Sequence, residues 1–269
     1  MSKRRLQINT AFVVSLFLTG CGFFDAKQTE PTCKISPKPS RETYFESFDD
    51  KYGGGWVRGR RWPMTIWDGV AYSYSPWWLD ANHAPPGAGY LHLVLWTLTS
   101  SRIEKEPVIF PGYPGSKFIA RNQSTDLTNA KLTVRLRGEV DMQGSQMLVL
   151  VQAENKNNVR ANYVLTGHPF KITPEWSEQT VTLSPDPNQW LCLGSRYDLT
   201  KTYDCYDVAE VLADVNVDII FVLFPIQMVP VEDIVEPHKL FAGRDFHVAQ
   251  EFLPKGIVMF DWVRIEYPQ

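Results

Sequence analysis

The chain has 269 residues, of which 44% are hydrophobic, 13% aromatic and 21% charged. This composition excludes a disordered chain and a coiled coil. Twenty-seven Lys and Arg residues against 30 Asp and Glu residues give a formal net charge of −3, which argues against a general nucleic-acid binder.

The first twenty residues have the features of a secretory signal. Three basic residues at positions 3–5 precede the apolar run 11–18, which is far shorter than the roughly 20 apolar residues of a membrane-spanning helix. The run ends in Leu18-Thr19-Gly20-Cys21, which resembles the lipobox of bacterial lipoproteins. The alternative is an ordinary signal peptide in which Cys21 has no special role.

The lipobox resemblance implies cleavage after residue 20, diacylation of the Cys21 sulfur and acylation of its new amine. Two or three acyl chains would anchor the protein stably in a lipid bilayer. Gly rather than Asp at position 22 implies the outer membrane if the host has one, and otherwise the cell surface. Removal of residues 1–20 leaves 24 basic and 30 acidic residues, a net charge of −6 that disfavours nucleic acid as a partner.

Residues 21–40 contain several Pro, Lys, Thr and Ser residues, so we predict a lipidated, flexible tether. No internal repeat and no second linker follows, and residues 41–269 are therefore predicted to form one domain. An all-β domain of about 200–250 residues is ordinary.

Short β-rich runs separated by Gly, Pro, Asn and Asp dominate this domain. Leu132–Arg137, for example, alternates apolar and polar residues, as a half-buried strand does. The pattern predicts an all-β fold, an antiparallel β-sandwich or jelly roll. The predicted strands are Thr43–Phe48, Gly69–Tyr74, Gly89–Trp96, Ser116–Arg121, Lys131–Glu139, Gln146–Gln152, Ala161–Leu165, Glu178–Leu183, Asp218–Pro225 and Ile257–Tyr267.

One short helix is predicted near residues 207–216, because Val208, Val211, Leu212 and Val215 recur with helical spacing. Asp207 or Asp204 would cap its start. The uninterrupted apolar run that begins at Ile219 has no alternation, which predicts a strand covered on both faces.

The ends of the domain resemble the galactose-binding-like jelly roll, the fold of many carbohydrate-binding modules. The resemblance lies in Phe45–Phe48 as an opening strand, Glu178–Leu183 after Trp176, and Phe260–Tyr267 as a closing strand. A concanavalin-like sandwich has a similar pattern and stays open as an alternative. A shared fold does not determine function.

In many of these modules a calcium ion joins the first strand to the last, and Glu46 and Asp261 occupy the matching positions. Carboxylate oxygens suit Ca²⁺. A structural calcium is the one cofactor that the resemblance implies; the alternative is two ordinary strand carboxylates.

Cys192 and Cys205 lie thirteen residues apart, so they can form a disulfide in an oxidising compartment. Two buried thiols are the alternative. Cys33 is left over in the predicted tether. There is no Cys-x-x-Cys motif, so the sequence favours neither a thiol-redox site nor a zinc knuckle.

Five of the nine tryptophans lie within residues 56–78, far more than even scatter would place there. Flat aromatic rings stack on the C–H patches of sugars, and polar neighbours bind the sugar hydroxyls. We therefore predict a ligand site in this region, with Trp77 and Trp78 as its exposed pair. The alternative is that the rings fill the core at one end of the sandwich. The predicted site residues are Trp56, Arg60, Trp62, Trp67, Asp68, Tyr72, Trp77, Trp78, Asp80 and His83.

Catalytic motifs are mostly lacking. The sequence has no Gly-x-Ser-x-Gly elbow, no His-Glu-x-x-His motif and no phosphate-binding glycine loop. Glu139-Val-Asp141 resembles the catalytic strand of laminarinase-like glycosidases, but the acid–base position is Gln143 or Gly144. We assign no catalytic residue.

The sequence thus favours a cell-envelope lipoprotein with a non-catalytic carbohydrate-binding sandwich. A polysaccharide hydrolase or lyase, with Tyr72, His83 and Arg60 as a conceivable catalytic group, is one alternative. A structural lipoprotein that binds an envelope protein is another.

Overall fold

The computed structural model describes residues 38–59, 62–101, 115–236 and 243–269. The predicted Cys21 lipidation, the tether as far as residue 37, Cys33 and Arg60 lie outside these residues. The described part contains two large antiparallel sheets, so the predicted all-β sandwich is confirmed.

The first sheet has six strands: β1 (Tyr44–Glu46), β4 (Thr65–Trp67), β5 (Val70–Tyr74), β8 (Lys131–Asp141), β11 (Ser177–Thr182) and β16 (Lys255–Glu266). Their order is β11-β8-β16-β5-β4, and β1 also pairs with β16, so the first and last strands of the domain are neighbours.

The second sheet has eight strands: β2 (Val57–Arg58), β3 (Trp62–Pro63), β6 (Trp78–Asp80), β7 (Tyr90–Leu98), β9 (Gln146–Glu154), β10 (Arg160–Leu165), β12 (Trp190–Cys192) and β13 (Asp218–Ile226). Their order is β12-β10-β9-β13-β7-β2-β3, and β6 pairs with the edge of β7 that also carries β2. A separate hairpin joins β14 (Met228–Pro230) and β15 (Phe246–Val248).

The main core fills the space between the two large sheets. Phe221 of β13 lies at its centre, with its ring centroid 5.9 Å from that of Trp56 and 5.6 Å from that of Phe260. A second apolar cluster, which includes Leu91, Leu150 and Val222, lies on the outer face of the eight-stranded sheet. Strand β13 is therefore covered on both faces, as its uninterrupted apolar sequence predicts.

Both α-helices among the described residues are short. The predicted helix exists as α2 (Val208–Ala213), and the Asp207 carboxylate caps it by accepting a hydrogen bond from the Ala209 amide. The strand predicted over residues 116–121 is wrong, because Lys117–Ala120 forms one helical turn, α1. The Ser116 hydroxyl caps that turn by accepting from the Phe118 amide at 3.2 Å.

Candidate functional site: an aromatic cleft and a polar cavity

The tryptophan cluster divides between core and surface. Trp56 is completely buried, and its indole N–H donates to the Tyr44 hydroxyl at 2.8 Å. Trp77 is 6% exposed, and its indole N–H donates to the Ser73 hydroxyl at 2.9 Å. Both are core residues, which corrects the expectation that Trp56 belongs to a binding platform and that Trp77 pairs with Trp78 as an exposed ring.

Three rings of the cluster are exposed: Trp62 by 57%, Trp67 by 73% and Trp78 by 43%. Trp62 and Trp78 line one cleft, whereas Trp67 lies outside it at the end of β4. Asp68 follows Trp67 in the tight turn to β5, where its φ is +51°. Neither Trp67 nor Asp68 therefore lines the cleft.

The cleft, which we call the aromatic cleft, has a volume of about 560 Å³. Its lining residues come from both large sheets and the segment that connects them: Arg58, Gly59, Trp62, Tyr74, Pro76, Trp77, Trp78 and Leu79. The volume lies within the range of about 300–1,000 Å³ that is usual for small-molecule sites.

The strand arrangement explains why the cleft forms at this place. The chain passes from β5 of one sheet to β6 of the other through residues 75–77, and the Ser75–Pro76 bond is cis. Strands β2 and β6 then share one edge of β7. Gly59 completes the wall with φ +55°, and a Cβ added there would lie 3.1 Å from the Trp78 Cβ. Glycine suits both the close approach and the left-handed backbone.

Among the described residues, the cleft wall combines aromatic rings with the cation of Arg58. The guanidinium carbon of Arg58 lies 4.0 Å from the centroid of the Tyr74 ring. Tyr74 is 37% exposed, so its ring, Trp62 and Trp78 present three aromatic surfaces to solvent around one cavity. Such a lining can stack on sugar faces while Arg58 offers hydrogen-bond donors.

A second cavity of about 90 Å³, the polar cavity, lies against the outer face of the eight-stranded sheet. Leu91, Leu93 and Ile220 are among its apolar lining residues. Its polar lining residues are Asp80, Asn82, His83, Gln152, Arg160, Asn162, Tyr203 and Asp218. Of the predicted site residues, Asp80 and His83 therefore line this cavity rather than the aromatic cleft.

His83 is buried in the wall of the polar cavity. Its Nδ1 lies 2.7 Å from the Gly194 carbonyl, and its ring centroid lies 5.3 Å from that of Tyr203 in an edge-on contact. Burial is the largest effect on the pKa of His83 and lowers it below 6.5, although the Asp80 charge and the Gly194 carbonyl act in the opposite direction. The ring is therefore neutral at pH 7, and because a carbonyl can only accept, Nδ1 carries the hydrogen.

The predicted disulfide is confirmed, since Cys192 and Cys205 are joined. It links β12 to the segment that carries Tyr203. The segment between the two cysteines also contacts residues 82–88. The backbone amide of Arg196 donates to the Asn82 carbonyl, and the backbone amide of Ala88 donates to the Leu193 carbonyl. The disulfide thus fixes the loop that closes one side of the polar cavity.

The floor of the polar cavity contains a row of polar residues on neighbouring strands. Asp218 of β13 is opposite Gln152 of β9, which is opposite Asn162 of β10. The Gln152 side-chain amide donates to the Asn162 side-chain oxygen. Asn162 is only 2% exposed, and its side-chain nitrogen has no hydrogen-bond partner. A buried donor of this kind is costly unless a water or a ligand satisfies it.

Tyr72 is not part of either cavity. It is half-buried on β5, opposite Thr65 and Met259 in the six-stranded sheet. His83 lies instead on the outer side of the other sheet. The conceivable catalytic group of Tyr72, His83 and Arg60 is therefore not brought together, since the first two residues lie on opposite sides of the sandwich.

Glu46 and Asp261 have different surroundings. Glu46 is 1% exposed and accepts from Lys117 Nζ at 2.9 Å and from the Phe48 amide at 2.8 Å. Asp261 accepts from Arg135 at 2.6 Å on a partly exposed surface. Each carboxylate already has a basic partner, and the described residues contain no group of three or more His, Cys, Asp or Glu that could hold a metal.

Glu139 and Asp141 are exposed on β8, and the Asp141 carboxylate accepts from the Gln143 side chain at 2.6 Å. They do not line either cavity. Two further tryptophans, Trp176 and Trp262, are partly exposed, with arginine side chains over their rings.

Sequence reasoning missed most of the polar cavity. Gln152, Arg160, Asn162, Tyr203 and Asp218 come from distant segments and match no motif. Their one local signal is a polar residue within a largely apolar strand, as at Asp218 and Gln152.

No described helix has the length and apolar character needed to span a membrane. No family model and no curated protein matches this chain. One solved chain, from the work "Prominent members of the human gut microbiota express endo-acting O-glycanases to initiate mucin breakdown", aligns with 84% of this chain and 99% of its own length. The identity is 10% and the TM-score 0.33.

Proposed function

We propose that this protein binds a glycan chain in the aromatic cleft and does not cleave it. The observation that carries the proposal is the set of exposed rings of Trp62, Tyr74 and Trp78 around one cavity of about 560 Å³. Stacking on sugar C–H faces needs flat, exposed rings. Trp62 and Trp78 supply them at a junction of both sheets, and Tyr74 adds a ring that Arg58 covers on one face.

The shape of the site favours a glycan over a protein partner. A protein interface of standard size buries about 800 Å² on each partner and has a well-packed apolar centre. The exposed rings here surround a cleft instead of forming a broad, flat patch. A concave site with a few polar groups is typical of small ligands and oligosaccharides.

A hydrolase or lyase is the second candidate, because the polar cavity contains the carboxylates Asp80 and Asp218. Its volume of about 90 Å³ corresponds to roughly three waters. A glycosidic bond with a sugar on each side needs more room than that, so binding without turnover is the better-supported function.

We also propose that the protein is held at the cell envelope by acylation of Cys21. The lipobox and the basic, apolar segment before it support this proposal. Metabolic labelling with an alkyne fatty acid should mark the wild-type protein and not the Cys21→Ser variant. Equal labelling of both proteins would contradict a lipid anchor at Cys21.

A glycan array probed with the full-length protein in detergent tests the binding function. Trp62→Ala and Trp78→Ala should each weaken binding of any hit about two- to tenfold, because one stacking contact contributes about 0.5–1.5 kcal/mol. Trp67→Ala is the matched control, since it removes an exposed tryptophan outside the cleft and should leave binding unchanged. Binding that survives both cleft substitutions would contradict the proposed site.

Prolonged incubation of each array hit with the protein then separates binding from turnover. Intact glycans by mass spectrometry would support a binding module. Shorter glycan products that accumulate with time would instead show that the protein is an enzyme.

A further inference from the structure

The aromatic cleft and the polar cavity share a wall. The Trp96 ring lines the polar cavity, and its indole N–H donates to the carbonyl of Gly59, which lines the cleft. Trp78 is opposite Leu93, and Asp80 is opposite Leu91, along the same pair of strands. Alternate strand residues point the same way, so Trp78 and Asp80 lie on one face, roughly 6.6 Å apart along β6.

Three of the polar lining residues offer hydrogen-bonding groups to a ligand in the polar cavity. Asp80 offers a carboxylate, which already holds the Asn82 amide at 2.7 Å through one oxygen. His83 is neutral and donates through Nδ1 to Gly194, so its Nε2 is an acceptor. Asn162 offers a buried amide nitrogen without a partner.

The edge of a sugar carries hydrogen-bonding groups that complement all three. A hydroxyl donates one hydrogen bond and accepts others, so adjacent hydroxyls can donate to Asp80 and His83 and accept from Asn162. A carboxylate on the ligand can only accept, and it would repel Asp80. The Arg160 guanidinium, the cation that lines the cavity, is already held by Glu154 at 2.9 Å.

The two volumes show how a ligand would divide between the cavities. The polar cavity holds the equivalent of roughly three waters, which is part of one sugar ring, whereas the aromatic cleft has about six times that volume.

We infer that the polar cavity is a selectivity pocket for the hydroxyl-bearing edge of one sugar unit, and that it favours neutral or amino sugars over uronic and sialic acids. This inference rests on the proposed function, because it assigns the substrate class of a glycan held in the neighbouring cleft.

Histidine ring NMR tests the pocket directly. The full-length, ¹⁵N-histidine-labelled protein is titrated with millimolar glucose, glucosamine and glucuronate, which share one ring and differ in charge. The ring signals of His83, assigned by their loss in His83→Gln, should shift with glucose and glucosamine and not with glucuronate. Those of His168, which is exposed and bonded to Gln189, should not shift. No shift of His83 with any sugar, or the largest shift with glucuronate, would overturn the inference.

The glycan array separates this inference from the proposed function. Asp80→Asn keeps the side-chain oxygen that holds the Asn82 amide and removes the charge. It should raise binding of acidic glycans relative to neutral ones about tenfold, while Trp78→Ala weakens both classes. If Asp80→Asn has the same preference between acidic and neutral glycans as wild type, while Trp78→Ala binds both more weakly, the selectivity pocket is refuted. The glycan site in the aromatic cleft is then still supported. Equal binding by Trp78→Ala and wild type would refute the cleft.

Discussion

The guanidinium of Arg58 lies 4.0 Å from the centroid of the Tyr74 ring and so joins the two sheets at the aromatic cleft. Arg58 belongs to β2 of the eight-stranded sheet, and Tyr74 ends β5 of the six-stranded sheet. The contact holds one exposed ring in position and places a cation beside it.

Replacement of Arg58 by Met should therefore affect both binding and stability. We expect glycan binding to weaken about fivefold and the free energy of unfolding to fall by about 1 kcal/mol, the size of a partly exposed cation–π contact. Arg264→Met is the control, because it removes a similar contact, 5.1 Å from the Trp262 centroid, far from the cleft. Array binding and urea unfolding measure the two effects. Equal binding losses in both variants would rule out a local role for Arg58.

Trp56 and Trp67 should behave in opposite ways when each is changed to Ala. Trp56 is fully buried and bonded to Tyr44, so its loss should cost about 3–5 kcal/mol of unfolding free energy. Trp67 is 73% exposed, and its loss should change stability by no more than about 0.5 kcal/mol. Urea unfolding followed by circular dichroism measures both values. A stable Trp56→Ala protein would contradict the described core.

The disulfide should stabilise the fold and the wall of the polar cavity. It closes a loop of thirteen residues, for which the entropy of the unfolded chain gives about 3 kcal/mol. The Cys192→Ser, Cys205→Ser double variant should lose that amount in urea unfolding. Wild-type protein unfolded in a reductant is the control and should match the double variant. Unchanged stability in both cases would mean that the bridge adds nothing to the fold.

Acidification should destabilise the protein through His83. Burial lowers the pKa of this residue in the folded state below its ordinary value of 6.5. Just below pH 6.5 the unfolded chain therefore binds a proton that the folded protein does not, so the free energy of unfolding falls as pH falls; above that pH the effect vanishes. The slope from one such proton is at most about 1.4 kcal/mol per pH unit.

Urea unfolding of wild type and His83→Gln at pH 7.5, 6.5 and 5.5 measures this effect. The variant should lose less stability than wild type between the upper and lower pH. His92 retains a similar dependence in both proteins, because burial also lowers its pKa. Parallel curves for the two proteins would show that His83 does not cause the loss.

Lys117→Met should destabilise the protein by leaving the Glu46 carboxylate without its cation. Glu46 is 1% exposed, and removal of one partner of a buried pair costs about 3–5 kcal/mol. We expect a loss toward the lower end of this range, because the Lys117 side chain is 27% exposed. The double change Glu46→Gln, Lys117→Met should recover part of the loss. A double variant no more stable than Lys117→Met would contradict this account.

The fold was predictable where strands are long. Strands such as β8 and β13 show alternation or uninterrupted apolar sequence over nine or more residues, so their positions followed from pattern alone. Strands of two or three residues, such as β2, β3 and β6, have no pattern to detect. One turn of helix at α1 is likewise too short to show a helical period.

The candidate site was only partly predictable. The density of tryptophans indicated the part of the chain in which the aromatic cleft forms, and the spacing of Cys192 and Cys205 indicated their disulfide. Which rings are exposed depends on the face each strand turns to solvent, and a short strand does not reveal its face in sequence.

The sequence by itself determined the sandwich class, and it indicated the disulfide and the tryptophan-rich region, because these depend on local periodicity, spacing and composition. Only the tertiary structure decided that Trp56 is core while Trp62 and Trp78 line a cleft, and that Asp80, His83 and Asn162 line one cavity. Strand pairing brings residues from distant parts of the chain together, and no local pattern specifies those partners.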